Sequence, residues 1–321
     1  MKNYKFYQKI LHRLFLSSKI FKKSFFELEK IFFLKENFSI KESKHIFISG
    51  LPRSGTTIIL NYIYNTGQFS SLTYNDMPFV MAPNLFSFQK RFNNEKIERF
   101  HGDNIYINFN SPEALDEIFF SSFTENEIEN EIENYVNLIV KKYKQIRYLS
   151  KNNLNYKRID ILRKIFSNSF FLIPFRDPIQ QANSLLNQHK NFLKLQEEDR
   201  FVLEYMNYLN HREFGKNHIY WNKPNYFFDC LDINYWLEQW SLFYDRILLD
   251  LDKKNVHFIC YEELTNDSYI QKLNNKFELQ NLSNFNFFVK KENLFFNKID
   301  QTIKQKSYKT YDKLKILAIN E

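Results

Sequence analysis

Two of the chain's five glycines stand five positions apart in the segment Gly50-Leu51-Pro52-Arg53-Ser54-Gly55-Thr56-Thr57. A short apolar run at 45–49 precedes this segment, and a helical pattern over 56–66 follows it. A glycine loop between a strand and a helix favours phosphate binding, because its backbone N–H groups face an anion at the positive end of the helix. Nucleotide triphosphatases place a lysine after the second glycine, where this chain has Thr56, and the nearby cation is Arg53. The loop therefore suits a phosphate but argues against ATP or GTP chemistry.

The loop resembles that of the sulfotransferase superfamily, whose members use 3′-phosphoadenosine 5′-phosphosulfate (PAPS). The resemblance lies in the run Pro-Arg-Ser-Gly-Thr-Thr at 52–57. In motif spacing the chain is closest to the tyrosylprotein and carbohydrate branch, which includes bacterial members. The resemblance implies that the 5′-phosphosulfate of PAPS is held by Arg53, Ser54, Gly55, Thr56 and Thr57.

The family has a second motif, in which a strand ends in arginine and a serine follows eight residues later to hold the 3′-phosphate. The apolar run 169–174 leads to Arg176, and Ser184 stands eight residues beyond it. This spacing is physically reasonable, because arginine binds phosphate through paired hydrogen bonds and Pro178 suits the first turn of a helix. The resemblance therefore implies that Arg176 and Ser184 bind the 3′-phosphate.

Two further segments resemble the family more weakly. Lys151 follows the short run 148–150, and the resemblance implies that it lies beside the bridging oxygen of PAPS. Tyr261 follows the apolar run 255–260 and precedes two glutamates, as in the family segment near the adenine. The alternatives are a solvated lysine and a tyrosine that only packs.

Sulfuryl transfer to a hydroxyl needs a general base, because the acceptor must lose a proton during an in-line attack. Asp76 lies 23 residues after Arg53, near where one family branch has a glutamate base. We expect Asp76 to be the base, with a substrate-orienting role or a turn role as alternatives. His101, beside Gly102, is the rival base, and His189 has a lower claim.

The elements around these residues alternate between strands and helices, which predicts an α/β fold with a central parallel sheet. The resemblance implies a three-layer P-loop-like fold, in which helices flank the central parallel sheet. Strands are expected near 45–49, 148–150, 169–174 and 255–260, and helices over 56–66, 113–145, 157–167, 178–209, 233–252 and the last thirty residues. We expect one domain over 1–321, with a nucleotide-binding core at 45–270 and an acceptor-side insertion at 191–250.

Composition and charge restrict the possible partners and the expected location of the protein. The formal net charge of +8 suits an anionic ligand, a nucleic acid or an anionic membrane. The two cysteines have no CxxC spacing, which favours a reducing compartment and offers no zinc site. No apolar run is long enough to span a bilayer, and no secretory signal is recognised. We expect a cytoplasmic protein, and the basic helices predicted within residues 1–40 either lie on the inner membrane face or pack on the domain.

These features predict a PAPS-dependent sulfotransferase that leaves 3′-phosphoadenosine 5′-phosphate (PAP) as product and needs no metal. The expected acceptor is a hydroxyl of a carbohydrate or glycolipid. Trp221, Trp236 and Trp240 could stack on sugar rings, although the spacing of Trp236 and Trp240 is also typical of a buried helix face. The alternatives are a P-loop kinase-like phosphotransferase and a basic nucleic-acid-binding protein. The partners we favour are small molecules rather than nucleic acid, and the oligomeric state stays open.

Overall fold

A parallel five-stranded sheet forms the centre of the protein, as seen in a computed structural model. The model describes residues 6–34, 40–89, 97–98, 106–226, 228–250, 254–282, 285–289 and 299–318. The sheet has the order β2-β5-β1-β6-β7, and every neighbouring pair runs parallel. The strands of the chain are β1 (Ile46–Ile48), β2 (Phe69–Ser70), β3 (Ile97–Glu98), β4 (Tyr106–Ile107), β5 (Arg147–Lys151), β6 (Phe170–Phe175) and β7 (Val256–Cys260). β3 and β4 form a separate antiparallel pair.

Helices flank the sheet, which confirms the expected α/β class. They are α1 (Phe6–Leu16), α2 (Lys19–Phe33), α3 (Thr56–Asn65), α4 (Glu117–Phe120), α5 (Glu125–Tyr143), α6 (Ile159–Ile165), α7 (Pro178–Glu198), α8 (Arg200–Tyr208), α9 (Ile233–Asp250), α10 (Asp267–Phe277) and α11 (Gln301–Leu317).

β1 is the central strand and is buried along its whole length. Its last residue, Ile48, is in register with Lys151 of β5 and Leu172 of β6. The carboxyl ends of these three strands therefore meet at one edge of the sheet. In parallel α/β sheets this edge is where ligands bind.

Two expected long helices are each divided by a capping residue. The expected helix 113–145 is interrupted at Thr124, whose hydroxyl accepts a hydrogen bond from the backbone of Glu127 while that glutamate accepts one from Thr124 N. The expected helix 178–209 is interrupted at Asp199, whose carboxylate accepts from Phe201 N at 2.9 Å. A polar side chain that satisfies the first N–H groups starts a new helix within a continuous helical pattern.

Candidate active site

The glycine loop connects β1 to α3 and contains three residues with positive φ, of which Gly50 has φ of 133°. Gly55, the N-cap of α3, has φ of 95°, and Arg53 has φ of 69°. Ser54 is buried and donates from Oγ to the carbonyl oxygen of Leu51 at 2.8 Å, which holds the turn closed. A non-glycine residue with positive φ stores backbone strain, and in a loop such strain is typical of functional sites.

Tyr261 lies against the loop at Gly55. A Cβ atom built on Gly55 would stand 2.5 Å from Cδ2 of the Tyr261 ring, so only glycine fits here. The guanidinium carbon of Arg176 is 4.8 Å from the centroid of the same ring, a cation–π contact. The structure thus brings the loop, Arg176 and Tyr261 together from three distant parts of the chain.

Arg53 contacts the helix that follows Arg176. Its Nε donates to Oγ of Ser184 at 3.0 Å, so the serine expected at the 3′-phosphate lies next to the arginine expected at the 5′-phosphosulfate. The predicted phosphate ligands therefore form one cluster, the phosphate cluster, made of Arg53, Arg176, Ser184 and the loop at 54–57.

Buried hydrogen bonds connect the glycine loop to α7 and α9. Gln181 of α7 donates from Nε2 to the carbonyl oxygen of Pro52 at 3.0 Å, and its Oε1 accepts from Trp240 Nε1 at 2.9 Å. Trp236 and Trp240 are both fully buried, so they form part of a helix face in the core and offer no stacking surface for a sugar. The support role of Gln181 has no signal in the sequence, because it depends on the packing of α7 on α9.

The turn after Arg176 is also fixed. Asp177 caps α7 by accepting from Gln180 N at 2.9 Å, and its own N–H donates to Oε1 of Glu262 at 2.8 Å. The other oxygen of Glu262 accepts from the hydroxyl of Tyr311 on α11 at 3.2 Å. Arg176, which is only 6% exposed, therefore projects from a rigid turn.

Lys151 ends β5 at the same edge of the sheet, where it forms an ion pair with Glu113. Its Nζ lies 3.7 Å from Oε1 of Glu113, and each side chain is 10% exposed. Oε1 of Glu113 also accepts from Ala114 N at 2.8 Å, and Oε2 accepts from the hydroxyl of Tyr74. Glu113 stands 38 residues before Lys151 in a segment without a recognisable motif, so no sequence signal connects them.

Asp76, the expected base, lies in a closed network. Its Oδ1 forms an ion pair with Lys142 Nζ at 2.5 Å, and the side chain is 0% exposed. Its Oδ2 accepts from the hydroxyl of Tyr143 at 2.6 Å and from Thr73 N at 2.6 Å. These contacts make Asp76 the N3 residue of a capping box and indicate a structural role for its carboxylate.

The two histidine candidates have different outcomes. His101 lies outside the described residues. His189 is buried, and its Nδ1 accepts from the backbone N–H of Gly215 at 3.2 Å. Burial is the main cause that lowers the pKa of His189 to about 4, which makes the imidazole a weak base. Its contacts indicate a role in packing the region around α7.

The described residues offer neither a metal site nor a membrane-spanning helix. Within the ranges given above, no group of three or more His, Cys, Asp or Glu side chains is arranged to hold a metal ion. None of the helices in that part of the chain combines the length and the apolar character needed to cross a membrane.

Comparison with known proteins addresses the family of the chain. A search of curated protein sequences found no match. Among solved structures, the chain is similar to sulfotransferase STF1 from Mycobacterium tuberculosis H37Rv, with 12% identity and a TM-score of 0.48, over 86% of this chain and 78% of that one. It is also similar to sulfotransferase STF9 from Mycobacterium avium, with 12% identity and a TM-score of 0.46, over 94% and 75% of the two chains. Both similarities are too low to support a functional argument. The model of the sulfotransferase family, by contrast, matches residues 45–272, more than two thirds of the sequence. The chain therefore belongs to the sulfotransferase family and is a sulfotransferase enzyme.

Proposed function

We propose that the enzyme transfers the sulfuryl group of PAPS to an acceptor hydroxyl and releases PAP. The observation that carries this proposal is the phosphate cluster, in which Arg53 and Arg176 lie around a glycine loop that has Thr56 in place of the lysine of nucleotide triphosphatases. Two arginines that reach one site from different segments suit a nucleotide with two separate anionic groups.

The residues present fit such a donor. The backbone N–H groups at the start of α3, with Thr56 and Thr57, would hold the 5′-phosphosulfate at a helix N-terminus. Arg176 and Ser184 would hold the 3′-phosphate, and Tyr261 would lie beside the adenosine. PAPS supplies the sulfuryl group, while the protein supplies binding and charge.

Charge neutralisation is the second requirement of the reaction. Negative charge grows on the phosphate oxygen that leaves, and fixed cations lower the barrier by stabilising it. We assign this task to Arg53 in the loop and to Lys151, since β5 ends beside β1 at the same edge of the sheet. A mobile metal ion is then unnecessary.

We assign the general base to Glu113, with Asp76 as the alternative expected from the sequence. Glu113 stands next to Lys151 and is partly exposed, whereas the Asp76 side chain is fully buried and paired with Lys142. A base must contact the acceptor hydroxyl. The partly exposed Glu113, beside the predicted catalytic cation Lys151, is better placed for this contact than the buried Asp76. Tyr74, which donates to Glu113, would orient the carboxylate.

The acceptor we propose is a hydroxyl of a carbohydrate or glycolipid. Because Trp236 and Trp240 are buried, sugar stacking on them does not support this class. The exposed apolar residues of α1 and α2 favour the glycolipid among these acceptors, since they offer contact with lipid.

The proposal is tested by comparing donors in the presence of a chelator. We expect transfer from PAPS to a panel of glycans, glycolipids, phenols and tyrosine peptides to continue unchanged in excess EDTA, and ATP to donate nothing. Transfer from ATP that stops with EDTA and returns with Mg²⁺ would instead support the kinase-like alternative.

A further inference from the structure

Helix α2 carries apolar residues on both its buried and its exposed faces. It buries Phe26 together with the charged residues Lys22 and Glu29, which are 0%, 6% and 0% exposed. It exposes the large apolar residues Ile20, Phe21, Leu28, Ile31 and Phe32, with exposed fractions from 43% to 76%. A surface helix normally turns its apolar stripe to the core. The outer face of α2 is therefore suited to a nonpolar environment outside the protein.

Specific polar contacts fix this orientation. The carboxylate of Glu29 accepts from the backbone N–H groups of Asn84 and Leu85, at 2.7 and 2.9 Å, and from Asn84 Nδ2 at 2.7 Å. Lys23 and Lys30 also form ion pairs with α5. Rotating α2 to bury its apolar face would break these contacts, so the exposed face is part of the folded structure.

Helix α1 packs on α2 through Phe15 and Phe25, whose ring centroids are 4.6 Å apart, and it also exposes apolar residues. Phe6, Tyr7, Ile10 and Leu14 are all exposed and recur at helical spacing, while His12 is fully buried. We name these four residues, with Ile20, Phe21, Leu28, Ile31 and Phe32 of α2, the N-terminal apolar face. It holds nine of the 20 large apolar side chains that are exposed in the described part of the chain. Scattered exposed apolar residues are normal, but such a concentration marks an interaction surface.

The positive charge of the chain is concentrated in the same segment. Residues 1–34 contain eight Lys and Arg and two Glu, a formal net charge of 8 − 2 = +6. The whole chain carries +8, so the remaining residues contribute only +2. Four of these cations, Lys9, Arg13, Lys23 and Lys30, form ion pairs with Asp199, Glu204, Glu127 and Glu131, which leaves a local net charge of 6 − 4 = +2. A net positive charge next to a helical apolar face is typical of helices that lie in the interface of an anionic membrane.

We propose that the N-terminal apolar face docks on an anionic lipid bilayer, with α1 and α2 lying along the headgroup region. A second copy of the chain is the other candidate occupant. Two copies would bring segments of the same net positive charge together, whereas an anionic bilayer carries the opposite charge. This proposal does not depend on the sulfuryl donor or the acceptor.

Vesicle sedimentation with the full chain tests the proposal. We expect the protein to bind vesicles of phosphatidylglycerol and phosphatidylcholine, bind pure phosphatidylcholine vesicles far less, and dissociate in high salt. The variant Phe21→Ser/Leu28→Ser/Phe32→Ser changes only exposed side chains and should lower the affinity for anionic vesicles by about tenfold or more. The matched control Leu249→Ser/Ile316→Ser changes residues that are 83% and 80% exposed on α9 and α11, and it should bind as the wild type does.

Three results would overturn the proposal. One is the absence of wild-type binding to the anionic vesicles, and another is equal binding by the triple variant. The third is a wild-type dimer in light scattering that the triple variant converts to a monomer, because this would give the face to a second copy. Thermal stabilisation by PAP, measured on each variant, reports separately on folding and on the donor site.

Discussion

At the scale of single residues, the site depends on close approach between the loop and Tyr261. Gly55 combines a positive φ with a ring 2.5 Å from the place of its missing Cβ, so neither the backbone nor the space tolerates a side chain. The sequence pattern predicts the glycine for phosphate binding, and the structure adds this second reason, which depends on a residue 206 positions away.

Replacing Gly55 with alanine should therefore lower the free energy of unfolding by about 2 to 4 kcal/mol, from overpacking and from backbone strain together. It should also abolish PAP binding, because the loop must move away from Tyr261. Urea unfolding and calorimetry measure the two effects. Gly67→Ala is the matched control, since φ is 72° there but no atom lies within 4 Å. The control should cost only about 1 kcal/mol and keep PAP binding.

The base assignment is tested by two isosteric variants. Glu113→Gln keeps the shape of the side chain but removes its basicity, so turnover should fall on the order of 10²- to 10⁴-fold while PAP affinity changes little. Asp76→Asn should leave turnover within about threefold at low temperature and instead lower stability by about 2 to 4 kcal/mol, because it leaves Lys142 partly buried without its anion. Near-normal turnover in Glu113→Gln with a large loss in Asp76→Asn would return the base to Asp76.

The sequence predicts that residues of separate local motifs meet, and the structure has them close together. Arg53, Arg176 and Tyr261 each follow a strand, and Ser184 lies almost two turns along α7 after β6, so a parallel sheet brings them to one edge. Their binding roles stay a prediction. Glu113 has no such local signal. Its place beside Lys151 depends on the path of a segment between β4 and α4, which no periodic pattern determines.

At the scale of elements, His45 connects the strands that carry the loop and Lys151. It precedes β1, and its Nδ1 accepts from the backbone N–H of Tyr148 in β5 at 2.8 Å. Its Nε2 lies 2.8 Å from the carbonyl oxygen of Ile40, to which it donates in this tautomer. A neutral imidazole satisfies both contacts. Burial lowers the pKa of His45 to about 4, because it penalises the charged form.

This pKa predicts loss of stability in acid. The folded state binds this proton less readily than the unfolded state, whose histidine has a pKa near 6.5. The contribution of His45 is therefore complete above about pH 6.5 and is lost as the pH falls toward 4, by about 3 kcal/mol. Urea unfolding across this range should show a shallower pH dependence in His45→Asn than in the wild type. Parallel curves for the two proteins would contradict the assignment.

The elements themselves were predictable where their pattern was strong. The buried strands β1, β5, β6 and β7 lie close to the expected apolar runs. β2 has only two residues, too few for a pattern, and it exists because it pairs with β5. The long helical patterns were found but were divided at Thr124 and Asp199, since capping acts on a few N–H groups and leaves the periodicity of apolar residues unchanged.

At the scale of the whole molecule, the formal positive charge is unevenly distributed between the N-terminal segment and the rest of the chain. The residues after 34 carry a formal net charge of only +2, so the binding of anions that we propose must depend on the individual cations Arg53, Arg176 and Lys151. The excess positive charge lies in the N-terminal segment, where we propose contact with lipid. The basic composition alone suggests nucleic acid as an alternative partner. Because most of the excess positive charge lies in the N-terminal segment, the composition can be explained without a nucleic-acid partner.

The central claim is that Arg176 and Ser184 recognise a 3′-phosphate, and calorimetric titration with PAP and with AMP tests it most directly. PAP should bind the wild type much more tightly than AMP. Arg176→Ala should weaken PAP binding by about 2 to 3 kcal/mol and leave AMP binding nearly unchanged, because only PAP carries the group that Arg176 contacts. Arg200→Ala, with a side chain 92% exposed on α8, is the control and should change neither affinity. Equal affinity of the wild type for PAP and AMP, or equal losses for both nucleotides in Arg176→Ala, would contradict the claim.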